Sequence, residues 1–374
     1  MKRYLLFQVT FLISYCVSTV LHADTVAVLG DSTSTGAAAH PSLHFDVDQL
    51  EKLFQGEQDL KPDKDFYELM QKSWEPIENP ALAPKRLSLS KRDYENPLSW
   101  VFQNALHSFT RLNLDAEEYS WFYLLSRKRK ISPHEILIPI QDGEKSEDAL
   151  RQVDRVLDAT HEQAVRHLFV FFTGTDLCAP DVNLASSGEQ YAAHIEKALR
   201  YYIANAKVDQ NTSHIWLVDP IGILQIVSSP DILKHQVKAY GRDVSCRDLQ
   251  TGLAPQHLAS KEPGGMGAAA LLTQIFGQGP RAYCPSLFGL HDDTHSSDRL
   301  IQLGSTLQSY RKNLEKLTLR MQGIHPSYRV HHLKTSSNVI LAGEDMAQDC
   351  FHLDLNGQLK IAGALHAEME DILK

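Results

Sequence analysis

Val26-Ala27-Val28-Leu29 is an apolar, β-branched run that stops at Gly30-Asp31-Ser32. A strand with no polar alternation has no solvent face, so it belongs in a sheet covered on both sides. The strand is expected to end at Leu29, the backbone to turn at Gly30 and a helix to begin near Ser32. That puts the Ser32 hydroxyl at the carboxyl edge of the sheet, beside a helix N-terminus. Exposed N–H groups and the helix dipole there favour a developing negative charge. The small residues 36–39 let the first helical turn lie close to the strand. Gly-Asp-Ser is also what an ordinary turn uses, so the rest of the chain has to decide.

The same alternation returns from Glu135 onward. Segments 136–140, 168–172, 215–218 and 338–342 read as buried strands. Between them lie a helix carrying Leu150, Val153, Val156 and Leu157, and further helices at 190–206 and 302–322. A last helix, 357–373, carries Leu359, Ala362, Leu365, Met369 and Ile372 at helical spacing. Five buried strands alternating with helices predict a parallel sheet covered on both faces. In such sheets chemistry gathers at the carboxyl ends of the strands. Ser32, Gly143 and Thr175 all fall there.

The chain opens with Lys2 and Arg3, an apolar run over 4–21, and Leu21-His22-Ala23 as a cleavage site. This is the pattern of a signal peptide over 1–23, hence an exported chain. Export means secretion or the periplasm, or the secretory pathway in a eukaryote. Residues 24–374 read as one domain, with 41–130 a mostly helical and loop insertion after the first helix. Within it, 79–96 is a proline- and charge-rich surface loop. Asn96-Pro97 then caps a helix with Leu98, Val101, Phe102, Ala105, Leu106 and Phe109 on one face. The cluster Tyr119-Ser120-Trp121-Phe122-Tyr123 either fills core or lines a lid or acyl groove.

Removing Lys2 and Arg3 from the 37 basic residues leaves 35 against 46 acidic ones, a net charge of −11. That balance argues against nucleic acid or a polybasic membrane role. No second apolar run is long enough to span a bilayer, so membrane contact is expected to be peripheral at most. Cys178, Cys246, Cys284 and Cys350 remain after the leader, with no C-x-x-C pair to suggest structural zinc. An oxidising compartment allows disulfides in any of three pairings. Cys246 with Cys284 is favoured, because both lie in loop-like sequence.

Asp349-Cys350-Phe351-His352 supplies the second half of a site. A histidine three residues after a carboxylate in a loop can turn back and bond it through Nδ1. That fixes the tautomer and leaves Nε2 free to take a proton from a serine. Asp292-Asp293-Thr294-His295 has the same spacing but follows no strand, and reads as surface loop. His331-His332 reads as a solvated pair.

Four blocks in order resemble the SGNH (GDSL) hydrolase superfamily, and its phospholipase B-like lipases in particular. They are Gly30-Asp31-Ser32, Gly143 within Asp142-Gly143-Glu144-Lys145-Ser146, Gly174-Thr175-Asp176, and Asp349-Cys350-Phe351-His352-Leu353-Asp354. The resemblance implies a flavodoxin-like, three-layer α/β/α hydrolase acting on acyl esters, lipids among them, without metal or cofactor. Ser32 would be the nucleophile, His352 the general base and then acid, and Asp349 its orienting partner. The oxyanion would be held by the Ser32 and Gly143 N–H groups and a side-chain donor. That donor is asparagine in the family and Thr175 here, and a threonine hydroxyl reaches less far. Two alternatives stay open. One is a carbohydrate O-acetyl esterase or acyltransferase on the same fold. The other is a degenerate hydrolase kept as a binding protein.

Overall fold

The computed structural model describes residues 25–37, 39, 85–86, 117–141, 143–208, 212–239, 242–251, 284–289 and 297–374. The candidate leader, the loop 79–96, the helix expected around Leu98, and the Asp292/His295 pair lie outside these residues.

Eight strands are described: β1 (Val26–Gly30), β2 (Lys85–Arg86), β3 (Ile136–Ile138), β4 (His167–Phe171), β5 (Ser213–Val218), β6 (Gln236–Ala239), β7 (Arg242–Ser245) and β8 (Tyr328–Leu333). Six form one sheet in the order β2-β3-β1-β4-β5-β8, and β6 pairs with β7 in a separate antiparallel hairpin. Every pairing in the large sheet is parallel. Setting aside the two-residue β2, the strands run 2-1-3-4-5, the flavodoxin-like doubly wound order. β1 is buried at every position. It pairs with β4 along its whole length, but with β3 only at Val26 and Ala27. The order of winding reverses between β1 and β4, and the edge of the sheet opens there.

Six of the described helices frame the sheet and its edge: α1 (Ser32–Thr35), α2 (Trp121–Lys128), α3 (Ala149–Ala159), α4 (Gly188–Asn205), α5 (Ser297–Met321) and α6 (Leu355–Leu373). α2 and α6 pack together on one face of the sheet; α3, α4 and α5 pack as a row on the other. Local sequence fixes their starts. Ser187 and Gln190 form a reciprocal capping box at α4, and Asp354 accepts the Gly357 amide at the start of α6.

The aromatic cluster before α2 is core. Tyr119, Trp121, Phe122 and Tyr123 are fully buried, and Trp121 meets Phe171 and Phe169 of β4 edge-on at 5.0 and 5.9 Å. Truncating such a ring to alanine costs about 3–5 kcal/mol.

Four expectations need correction. The last strand is β8, not 338–342. Val339 and Leu341 instead bond the side chain of Gln225, through Val339 O and Leu341 N, and Ile340 faces solvent. An isolated glutamine amide occupies the place of a strand there, so the apolar run never joins the sheet. The helix after Gly30 is a single turn ending at Gly36, so its dipole is small and any anion must rely on individual N–H groups.

His331 and His332 are not a solvated pair. His331 stacks on Trp216 at 4.3 Å and shares a 3.0 Å hydrogen bond with His214, while Trp216 donates to His167 Nδ1 at 3.0 Å. Burial, with Arg129 and His214 nearby, pushes His167 down to about 3; burial, His214 and Arg329 take His331 to about 4.

Finally, the disulfides are Cys178–Cys284 and Cys246–Cys350, not Cys246–Cys284. Cys246 and Cys350 share a small apolar cluster with Val237, Val244 and Leu249, so packing of the hairpin selects the partner. Two disulfides are compatible with an oxidising, extracytoplasmic location. No helix among the described residues is long and apolar enough to cross a membrane.

Candidate active site

The turn after β1 requires glycine at its first position. A Cβ on Gly30 would stand 2.5 Å from the Phe171 carbonyl oxygen and 2.8 Å from Ser34 Oγ. That close approach lets the chain fold back over β4 and lift Ser32 to the sheet edge. Asp31, almost wholly buried, then fixes the turn in two directions. Its Oδ1 caps the helical turn by accepting the Thr33 amide at 3.1 Å. Its Oδ2 accepts the amides of Thr173 at 2.7 Å, Gly174 at 3.0 Å and, at the limit of contact, Thr175 at 3.5 Å. The nucleophile turn is thus fastened to the loop leaving β4.

A second fastening comes from the α2/α6 layer. Gln358, with no exposed surface, accepts the Trp121 amide at 2.9 Å and donates to Thr33 O at 3.3 Å; Trp121 Nε1 donates to Ser34 Oγ at 3.2 Å. Sequence reading missed Asp31 and Gln358 as anchors. The signal for Gln358 is a polar residue beside Ile361, Ala362 and Leu365 on a buried helix face.

His352 reaches this turn from the far end of the chain. Ser32 Oγ lies 3.0 Å from His352 Nε2, and His352 Nδ1 lies 2.5 Å from Asp349 Oδ2. The other Asp349 oxygen accepts the Phe351 and His352 amides at 3.0 and 2.9 Å. Burial on its own would raise the Asp349 carboxyl. The His352 imidazole and these amide bonds outweigh it and hold Asp349 below the usual carboxylate range. With Asp349 ionised, Nδ1 carries the proton and Nε2 is left to accept from Ser32. Cys350, between them, has a positive φ of 55° and is held by its disulfide to Cys246.

The cleft over Ser32 encloses about 320 Å³. Asp31, Ser32, Thr33, Thr173, Gly174, Thr175 and His352 line its polar side; Ile221, Ile223, Ile226, Phe351 and Leu353 line the other. Thr175 is half-buried at its margin. Gly143 falls on an exposed turn with φ 79°, a conformation that favours glycine, and is not among the residues lining the cleft. So Ser32, His352, Asp349 and Thr175 come together, and Gly143 stands outside their cleft.

Asp176 ties the Gly143 loop to this site. It accepts from the Ser146 hydroxyl at 2.6 Å and from the Ser146 amide at 2.8 Å. Burial drives Asp176 up to about 6, a rise the Ser146 bonds oppose and the nearby Asp31 charge adds to. A second Asp–His contact, Asp219 Oδ1 to His332 Nε2 at 2.7 Å, lies on the β5/β8 side. Among the described residues it has no hydroxyl bonded to the ring, so it lacks a nucleophile.

Chemically, Ser32 with His352 and Asp349 can transfer a proton out of a hydroxyl as it attacks a carbonyl. No protein-family profile and no curated protein matches this chain.

Proposed function

We propose that this chain is an exported serine hydrolase of carboxylic esters. The observation that supports the reading is the unbroken chain Ser32 Oγ–His352 Nε2, His352 Nδ1–Asp349 Oδ2, at 3.0 and 2.5 Å. In the proposed reaction Ser32 Oγ attacks the ester carbonyl carbon while His352 Nε2 takes its proton. The tetrahedral oxyanion collapses, the alkoxide leaves with the proton from His352, and an acyl-Ser32 ester remains. Water, deprotonated by His352, then releases the acid. The apolar wall of Ile221, Ile223, Ile226, Phe351 and Leu353 suits an acyl group rather than a charged one. Two disulfides agree with export.

A second reading follows from Thr175, which stands where a longer amide donor is expected, and from Gly143 outside the cleft lining. Loss of oxyanion donors would leave an acyl-binding protein without turnover. A fluorophosphonate probe separates the two. The hydrolase labels at Ser32, loses labelling as Ser32→Ala and turns over short- or long-chain p-nitrophenyl esters. Absence of labelling in folded protein overturns the hydrolase reading.

A further inference from the structure

Gln152 lies fully buried on α3 beside Ala149, Val153 and Val156. A primary amide in such a place is costly unless its groups are bonded. Here its oxygen and both its hydrogens are used.

The reason lies in how β1 ends. Beyond Ala27, β1 has no partner on the β3 side. Pro139, directly after β3, has no N–H to offer. Gly30 therefore reaches the turn with its peptide groups on that side unserved by any strand. Gln152 serves them: its Oε1 accepts Gly30 N–H at 2.8 Å, and its Nε2 donates to Gly30 O at 2.8 Å. One donor and one acceptor replace what a neighbouring strand would supply.

The remaining Nε2 hydrogen goes to Glu144 Oε2 at 2.8 Å, next to Gly143. That oxygen also accepts the Gln141 amide at 2.8 Å, closing the turn. Arg155 Nη1 bonds both Glu144 oxygens at 2.9 and 3.1 Å and Pro139 O at 2.7 Å. One side chain thus joins the Ser32 turn to the Gly143 turn through buried, charge-backed bonds.

We infer that Gln152 is a positioning residue, setting the spacing between the Ser32 turn and the Gly143 turn. Its chemical consequence rests on the serine-hydrolase reading: both turns carry N–H groups expected to face the oxyanion, so their spacing enters the transition state. Its mechanical consequence rests on the hydrogen bonds alone.

The test compares wild type with Gln152→Met, which keeps length and removes the amide. Hydrogen–deuterium exchange is read on peptides carrying Gly30 and residues 141–144. Both segments exchange faster in the variant. Fluorophosphonate labelling and kcat fall about tenfold to a hundredfold, as for a reacting group displaced by a fraction of an ångström. KM stays within about twofold, because ground-state binding is untouched. Gln152→Glu, which opposes two carboxylates, is slower still. Adding Glu144→Gln restores an amide–carboxylate contact with the roles exchanged and recovers part of the rate. Unchanged exchange in both segments overturns the inference. So does a lowered Tm with kcat per folded molecule unchanged, the mark of a purely structural residue. Wild type that neither labels nor turns over esters overturns the hydrolase reading instead, and the exchange measurement still decides whether the clamp exists.

Discussion

Asp31 Oδ2 accepts the Thr173 amide at 2.7 Å, across the point where the sheet reverses its winding. The residue preceding the nucleophile therefore holds the loop that carries Thr175. Asp31→Asn keeps the shape but turns an NH₂ group toward N–H donors. A loss of about 1–3 kcal/mol is expected from the unmade bonds, read from the denaturant midpoint. A midpoint equal to wild type would mean the loop is held from elsewhere.

Ser32→Ala and His352→Ala should each abolish ester hydrolysis with the fold kept. Asp349→Asn should lower kcat by about 10³–10⁴-fold, since the ring loses its fixed tautomer. Steady-state kinetics on one activated ester checks all three. Activity within a few-fold of wild type in any folded variant sinks the triad.

Thr175 separates a working oxyanion hole from a vestigial one. Thr175→Val removes the hydroxyl and keeps the shape. If that hydroxyl is a donor, kcat falls about a hundredfold or more with KM little changed. Thr175→Asn should keep or raise the rate. A neutral Thr175→Val would show that backbone N–H groups suffice.

The histidine stack predicts acid sensitivity. Unfolded histidines titrate near the ordinary value of 6.5, whereas folded His167 and His331 do so at about 3 and about 4. Between those values the unfolded chain holds more protons, so stability falls as pH drops through that window. A Tm series from about pH 7 to about pH 4 should decline, more shallowly in His167→Gln, whose Oε1 can still accept from Trp216. Parallel curves would discount the stack.

Cys246→Ser/Cys350→Ser opens a loop of sequence separation 104 and should cost about 4–5 kcal/mol of stability in the chain-entropy picture. It should also lower kcat more than Cys178→Ser/Cys284→Ser does. Cys350 adjoins Asp349, and its carbonyl is held by Gln250 Nε2 at 3.1 Å. Equal kcat in the two folded double variants would show that the His352 loop stands without its disulfide.

Much of the fold was readable in the sequence where one residue's chemistry is local. The run into Gly30-Asp31-Ser32 marked β1 and its turn, because an all-apolar strand can only be central. Asp349 and His352 were readable because their contact spans a single loop. β8 was not. Tyr328-Arg329-Val330-His331-His332-Leu333 is an edge strand, and its polar positions become apolar-like only by stacking on Trp216 and bonding Asp219. The run at 338–342 looked more like a strand but meets Gln225 instead of a neighbour. The disulfides depended on which loops meet, and no local pattern carries that. Gln152 and Gln225 share a lesson: a buried glutamine on an apolar face can mark where a strand stops short.

The nucleophile and its base are 320 positions apart in the chain. Synthesis runs from the amino end, so Ser32 is made early and remains unpaired with its base until almost the whole sequence exists. Contacts of such long range form late and slowly. A partly made or partly folded chain thus carries the serine without the means to activate it. Under the proposed chemistry, the enzyme stays silent during its own manufacture and transport with no inhibitory segment required. First turnover would then serve as a clock for the completion of folding.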